Sequence, residues 1–249
     1  MQSITSAKNP RVQSWRALRT AKGREEQSAF LVEGTRMVRE ALDSGFELQA
    51  LLLREGFDPP FDVPADAPVY SLPEHVFASV CDTKTPQGAA AVLSRRFRPL
   101  SGARFIALDA VQDPGNVGTI IRTADAAGFD GVLLSPECAD LFSPKVLRST
   151  MGSIFRLSFA FPPDLPAALR GFREQGFSVL SSQLDGDPFY ERKEVRPSFI
   201  LVIGNEGNGI SAPVKAEATH RLRLPMRGGA ESLNAAVAAG IMMYDLMRQ

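Results

Sequence analysis

Three short stretches of this 249-residue chain collect the side chains able to do chemistry. The first, Asp113-Pro114-Gly115-Asn116-Val117-Gly118, opens a helical pattern that carries Arg122. The second is Gly204-Asn205-Glu206-Gly207-Asn208-Gly209, and the third runs from Pro225 through Ser232-Leu233-Asn234. Each sets glycine beside amide, hydroxyl or carboxylate groups. Glycine lets a ligand approach the main chain closely and take its hydrogen bonds directly. An asparagine amide can donate and accept at once, and a carboxylate can only accept while ionised. Taken singly, the residues also have plain structural readings: a helix cap for Asn116, a turn carboxylate for Glu206 and an N-cap for Ser232. None of the stretches is a standard nucleotide loop. No Gly-x-x-x-x-Gly-Lys-Ser/Thr occurs, and Gly207-Asn208-Gly209 begins a dinucleotide fingerprint that lacks its third glycine. This disfavours a kinase, a GTPase and an ordinary dinucleotide-dependent dehydrogenase.

The elements that must position these loops follow from hydrophobic pattern. Apolar strands at 105–108 and 199–203 precede the first two loops, and a short alternating run ending at Pro225 precedes the third. Open parallel sheets bind ligands at such carboxyl ends. Further strands are expected at 131–134, 156–159 and 177–180, with helices at 116–127, 144–152 and 165–175. After Ser232, Leu233, Val237, Ile241 and Tyr244 form one apolar stripe, and Ala236, Ala239, Gly240 and Met243 a second. A helix apolar on both sides is expected to be buried. The pattern predicts a mainly parallel sheet with helices on both faces. Ahead of it, Asn9-Pro10 opens a helix and strands follow at 30–32, 48–53, 69–71 and 89–93. Helices lie between them around Met37 to Leu42 and after Pro73. This alternation suits a small α/β sandwich over 1–95, a proline-containing linker at 96–103 and a second α/β domain over 104–249.

Composition narrows the class. The apolar fraction of 44% is ordinary for a globular protein, and no run of 18 apolar residues suggests a membrane span. Met1 to Pro10 has no signal-peptide apolar core. Cys81, Cys138, His75 and His220 stand apart, so neither a metal site nor a disulfide framework is indicated, and a cytoplasmic, metal-free protein is expected. Lys plus Arg equals Asp plus Glu at 28 each, yet residues 1–39 hold eight basic side chains against three acidic ones. Arg95, Arg96, Arg98 and Arg104 follow without an acid between them. Such patches suit phosphate contacts with RNA.

Read together, Asp113 to Gly128, Ile203 to Ile210 and Leu224 to Ile241 resemble, in order and spacing, the three motifs of the SpoU/TrmH family of RNA ribose 2′-O-methyltransferases. Ile4 to Pro10, Phe30 to Gly34 and Thr85 to Gly88 resemble that family's N-terminal substrate-binding domain, similar to the ribosomal-protein L30e/L7Ae fold. The resemblance covers nearly the whole chain and departs from the pattern at Ala235-Ala236. It implies a C-terminal α/β knot, a deep trefoil knot of the SPOUT superfamily, and a homodimer formed through that region. It implies S-adenosylmethionine as cofactor, held without a metal around Ile203, Gly204, Gly207, Leu224, Pro225, Met226, Ser232 and Leu233. Asn116, Arg122, Glu206, Ser232 and Asn234 match the family's functional positions. The implied reaction is methyl transfer to a ribose 2′-hydroxyl of RNA, ribosomal RNA and 23S above all. A transfer-RNA ribose methyltransferase, a non-catalytic RNA-binding protein on this fold and a metabolic enzyme using another nucleotide are the alternatives. A general-base role has been proposed for the family's arginine. A guanidinium stays protonated near neutrality, so Arg122 is read here as a phosphate clamp and alkoxide stabiliser.

Overall fold

The computed structural model describes residues 1–96 and 98–248, which form two compact units. The N-terminal unit contains β1 (Gln2–Ser3), α1 (Pro10–Ala17), α2 (Ala21–Gln27), β2 (Ala29–Glu33), α3 (Thr35–Asp43), β3 (Leu48–Arg54), β4 (Val69–Leu72), α4 (Glu74–Val80) and β5 (Ala89–Ser94). Its sheet has the order β1-β4-β3-β5-β2; β1, β4 and β3 run parallel, and β5 runs against β3 and β2. α1 starts where the Asn9 side chain accepts the Arg11 amide and Pro10 presets the first helical φ. Val12 and Trp15 of α1 and Val76, Phe77 and Val80 of α4 then cover Leu52, Leu72, Ala90 and Val92. Every residue of β5 is buried, as a strand covered on both faces requires.

The C-terminal unit is built from β6 (Arg104–Asp109), α5 (Pro114–Ala127) and β7 (Gly131–Leu134). After the excursion described below come β8 (Ser158–Ala160), α7 (Leu165–Glu174), β9 (Ser178–Pro188), β10 (Phe199–Gly204), α8 (Ala212–Ala216), β11 (His220–Arg223) and α9 (Ala235–Leu246). Its six strands are all parallel, in the order β11-β9-β10-β6-β7-β8. Phe105, Val179, Ile200 and Val202 pack against Leu165 and Leu169 of α7 and Val214 of α8.

Three expectations change. The segment Asp140–Arg156, with α6 (Pro144–Thr150), packs with the N-terminal unit rather than with the domain over 104–249. Phe142 lies 5.0 Å from Phe30, and Phe155 5.4 Å from Phe46. The buried Arg24 donates from Nε to Asp140 at 3.1 Å and from an NH group to the Leu18 carbonyl at 2.8 Å. Second, α9 is capped by Asn234 and not by Ser232. Third, α9 buries only one of its two apolar stripes. Ala236, Ala239, Met242, Met243 and Leu246 face inward, whereas Leu233, Val237, Ile241 and Tyr244 are 38–53% exposed.

Candidate active site

Three strands deliver the three glycine-rich loops to the carboxyl edge of the parallel sheet. β6 and β10 are neighbours there, but the chain passes from β6 to β7 on one side and reaches β10 from β9 on the other. Such a switch point opens a crevice between diverging loops. The backbone is held firmly at that point. Ala110, just past β6, has φ 56°, a left-handed conformation uncommon outside glycine. Its amide donates to Ser135 Oγ at 3.0 Å, and its carbonyl accepts from Asn205 Nδ2 at 2.8 Å. The buried Asp109 accepts the Ser211 amide at 2.7 Å. In the second loop Asn205 and Gly209 exchange amide-to-carbonyl bonds of 3.0 and 2.9 Å. A Cβ on Gly204 would sit 2.3 Å from the Gly209 carbonyl carbon. Glycine is needed at 204 by the loop's own backbone, whatever a ligand requires. Gly207 lies exposed at the tip and donates its amide to Asn205 Oδ1 at 2.9 Å.

Across this crevice runs a chain of side-chain hydrogen bonds. Asn234 Nδ2 donates to Asn116 Oδ1 at 2.9 Å, and Asn116 Nδ2 donates to Glu206 Oε1 at 2.9 Å. Glu206 also accepts the amides of Gln112 at 3.2 Å and Asp113 at 3.1 Å. Asp113 fixes the start of α5 by accepting the Asn116 amide at 2.8 Å. Asn234 Oδ1 meanwhile accepts the first free amides of α9, from Ala236 and Val237. One residue from each loop is thus locked to the next. Burial pushes the Glu206 carboxyl up, but the bonds from Asn116, its own backbone amide, Asp113 and Gln112 outweigh it and hold it below the ordinary value. A carboxylate so engaged is a weak base and a good anchor. The chain is polarised toward it, so Asn116 and Asn234 each retain one N–H beyond those used here. Two fixed donors suit an oxygen that gains negative charge.

Arg122 and Ser232 stand outside this chain. Arg122 is exposed on α5, roughly 9 Å along the helix axis from Asn116 and about two-thirds of a turn round it. No hydrogen bond or ion pair of its guanidinium is found among the described residues. Ser232 is exposed in the loop before α9. Asp113, Asn205 and Ala110 were not among the sequence candidates. The capping rule could have found Asp113, three residues before Asn116 and followed by proline; the other two give no local signal.

Beside the network lies a cavity of about 200 Å³ lined by Leu224, Pro225, Met226, Leu233, Ile241 and Tyr190. Among the described residues, the backbone of Met226–Leu233 makes no hydrogen bond within the protein. An apolar cleft bordered by uncommitted amides and carbonyls fits a nucleoside-bearing cofactor, with apolar faces for the ring and main chain for its polar edge. Burial raises the pKa of both Cys81 and Cys138, so neither thiol is activated as a nucleophile. Among the described residues no cluster of His, Cys, Asp or Glu could hold a metal, and no helix is long and apolar enough to cross a membrane.

Comparison with known proteins gives this geometry its class. The model of the SpoU rRNA methylase family matches residues 103–244, and that of the MRM3-like substrate-binding domain matches 9–91. The chain belongs to the SpoU family; it is an RNA 2′-O-methyltransferase that uses S-adenosylmethionine, and its C-terminal unit has the family's α/β-knot fold. It is 41% identical over 247 residues to the 23S rRNA (guanosine(2553)-2′-O)-methyltransferase RlmP of Bacillus subtilis, covering 99% of both chains. An S-adenosylmethionine-bound rRNA methyltransferase from Sinorhizobium meliloti superposes with a TM-score of 0.89 at 34% identity, over 99% of this chain and 97% of that one. The SpoU methyltransferase AviRb of Streptomyces viridochromogenes gives 0.86 at 27% identity, over 97% of each.

Proposed function

We propose that the chain methylates one ribose 2′-hydroxyl of 23S ribosomal RNA, with Asn116, Arg122, Glu206, Ser232 and Asn234 as its reaction centre. The observation that carries the assignment of roles is the hydrogen-bonded chain Asn234–Asn116–Glu206, which joins the three motif loops at the sheet edge. The choice of 23S RNA rests on the likeness to the B. subtilis enzyme along the full length. When bound, the cofactor supplies a methyl group already activated on a sulfonium. The protein has to align the acceptor oxygen and ease the loss of its proton. Glu206 holds Asn116, Asn116 and Asn234 meet the ribose through their remaining N–H groups, and Arg122 clamps a phosphate. No residue of the network is a strong base, so the proton leaves through substrate phosphate or water. Ile203, Gly204, Gly207, Leu224, Pro225, Met226, Ser232 and Leu233 border the cofactor, with Gly204 shaping the loop rather than touching the ligand.

Residues 1–95 are the RNA-binding part of this reading, and 96–103 the link to the catalytic part. Fewer of the N-terminal cations are available than their number suggests. Arg24 is buried against Asp140, Arg19 lies 3.8 Å from Asp82, Lys22 3.7 Å from Glu26, and Arg39 meets the Pro60 carbonyl. Lys8, Arg16 and Arg36 keep their charges unpaired among the described residues and are the phosphate contacts of choice. A second copy of the chain covers the exposed Leu233, Val237, Ile241 and Tyr244 stripe as a homodimer. The two thiols are free, in keeping with the reducing cytoplasm as the place of action. The test is nucleotide-resolution mapping of 2′-O-methyls in ribosomal and transfer RNA from cells with and without the gene. One 23S position should lose its methyl; loss at a transfer-RNA position instead overturns the substrate assignment.

A further inference from the structure

The sequence points to loops after β6, β10 and β11, and gives the loop after β7 no part. β7 runs beside β6 and parallel to it, so its carboxyl end reaches the same edge as the first motif loop. Ser135, the residue that follows β7, is buried there. Its amide donates to the Leu108 carbonyl at 3.0 Å, which fixes it against the end of β6. Its hydroxyl donates to Glu137 Oε2 at 2.9 Å and accepts the Ala110 amide at 3.0 Å. Four residues on, the Ala139 amide donates to the carbonyl of the fully buried Val111 at 2.9 Å. The loop after β7 thus grips residues 110 and 111 of the first motif loop.

Ala110 is where such a grip matters. Its φ of 56° is a left-handed value that an L side chain resists and a glycine would adopt freely. The chain keeps alanine and ties down both of its peptide groups instead. Ser135 holds the amide, and Asn205 Nδ2 donates to the carbonyl at 2.8 Å. Strain of this kind persists only where the surroundings over-determine it, and it gathers at functional sites. Its effect here is felt two residues later. The amides of Gln112 and Asp113 turn outward and donate to Glu206 at 3.2 and 3.1 Å. Neither bond belongs to the sheet or to a helix. A relaxed Ala110, with negative φ, would swing both amides away from the carboxylate.

We infer that Ser135 is a positioning residue for methyl transfer: through Ala110 its hydroxyl aims the amides of Gln112 and Asp113 at Glu206, and so holds the network that meets the ribose. The inference rests on the reaction-centre reading above and adds to it a fourth loop, whose serine acts only through other residues. Ser135→Ala removes the hydroxyl and leaves the Ala110 amide without its acceptor. In the full-length protein, kcat on 23S ribosomal RNA per folded molecule should fall on the order of tenfold. KM for the RNA and the calorimetric Kd for S-adenosylmethionine should stay within about twofold of wild type. Amide hydrogen exchange over residues 110–113 should quicken on the order of tenfold. Ser135→Thr keeps the hydroxyl and should bring kcat back to within about threefold of wild type. A serine that only supports the fold would lower the melting temperature and leave kcat per folded molecule and the local exchange unchanged, and that result overturns the inference. So does a Thr variant as slow as the Ala variant, since the loss then lies in packing and not in the hydroxyl. Should Ser135→Ala fail to fold, Glu137→Ala carries the test at an exposed position, where it frees the serine hydroxyl to rotate. It should slow kcat about threefold with the same unchanged KM, and an unchanged kcat overturns the inference. Asn116→Ala, assayed alongside, tells the two possible failures apart. Activity lost there but kept in Ser135→Ala overturns the role of Ser135 alone, and activity kept in both overturns the network reading with it.

Discussion

Asn9 and Asn234 make the same helix cap in the two units. Their backbones are nearly superimposable, with φ −58° and ψ 133° at Asn9 and φ −51° and ψ 140° at Asn234. Each turns its side-chain oxygen onto the first amides of a helix, α1 in one case and α9 in the other. The difference is at the other end of the amide. Asn9 Nδ2 meets no partner among the described residues, whereas Asn234 Nδ2 donates to Asn116 and through it reaches Glu206. A cap is a local device worth about 1 kcal/mol. A cap whose remaining donor is engaged by another loop also ties that loop to the helix it starts. The residue type cannot tell these apart; the second partner can.

The contrast can be broken most forcefully at its middle member. Asn116→Ala removes both bonds of the network while leaving the Asp113 cap of α5, which uses the Asn116 backbone amide. Methyl transfer should fall by more than about a hundredfold, with the circular-dichroism melt little changed. A variant that unfolds, yet whose folded fraction keeps wild-type specific activity, shows instead that the network is structural. Arg122→Lys comes next. It keeps the charge and loses the two-pronged geometry, so the rate should drop on the order of a hundredfold at unchanged cofactor affinity. As a base, the lysine would gain activity as pH rises through a pKa near 10.4, so a rate profile with no alkaline rescue beyond the wild-type trend supports the clamp.

A finer cut separates the caps themselves. Asn234→Asp keeps an oxygen for the α9 amides and loses the donor to Asn116. Single-turnover rates should fall on the order of tenfold without a change in melting temperature, while Asn9→Asp should alter neither. Equal behaviour of the two variants removes the distinction. The smallest effect belongs to Glu206→Gln. The Glu206 carboxyl is held below its ordinary value of 4.5, so the stability it lends is complete above that value and is lost as pH falls through the lower, folded one. The difference in melting temperature between wild type and Glu206→Gln should stay constant from neutrality to about pH 5 and then close. A gap that widens on acidification reverses the sign of the argument.

Much of the architecture was legible because local signals agreed with one another. Asn9-Pro10 opens α1 by the cap and proline chemistry expected of it, the helical patterns after Asn116, Pro144 and Leu165 became α5, α6 and α7, and the apolar runs ending at Leu108, Leu134 and Ile203 became parallel strands. What escaped depends on distant partners. α2 has no apolar stripe, and its Gly23 packs so tightly on Ala17 that a Cβ would lie 2.1 Å from the Ala17 carbonyl oxygen. The far half of β9, Leu184-Asp185-Gly186-Asp187-Pro188, carries no strand pattern and is extended because Leu222 and Arg223 pair with its end. The motif positions named all three loops of the candidate site, but not which members touch. Spacing alone gives no reason why Asn116, Glu206 and Asn234 should be linked while Arg122 and Ser232 stand apart.

The excursion of Asp140–Arg156 bears on how this protein can be divided by inheritance. A protein assembled from two genes end to end can be cut back at the join. Here a cut within the linker at 96–103 would strand Leu141, Phe142, Val146, Leu147, Ile154 and Phe155, all buried in the N-terminal unit, with nothing to cover them. Recombination, limited proteolysis and expression of isolated halves all act on the chain in its written order, and that order crosses the physical boundary between Ala139 and Asp140 and again between Arg156 and Leu157. A catalytic half that has lost its first hundred residues carries an exposed aromatic segment wherever it goes. Lineages that discarded the N-terminal unit would have had to shorten or rewrite these seventeen residues as well, so the passage between β7 and β8 is where a record of such a loss is to be sought.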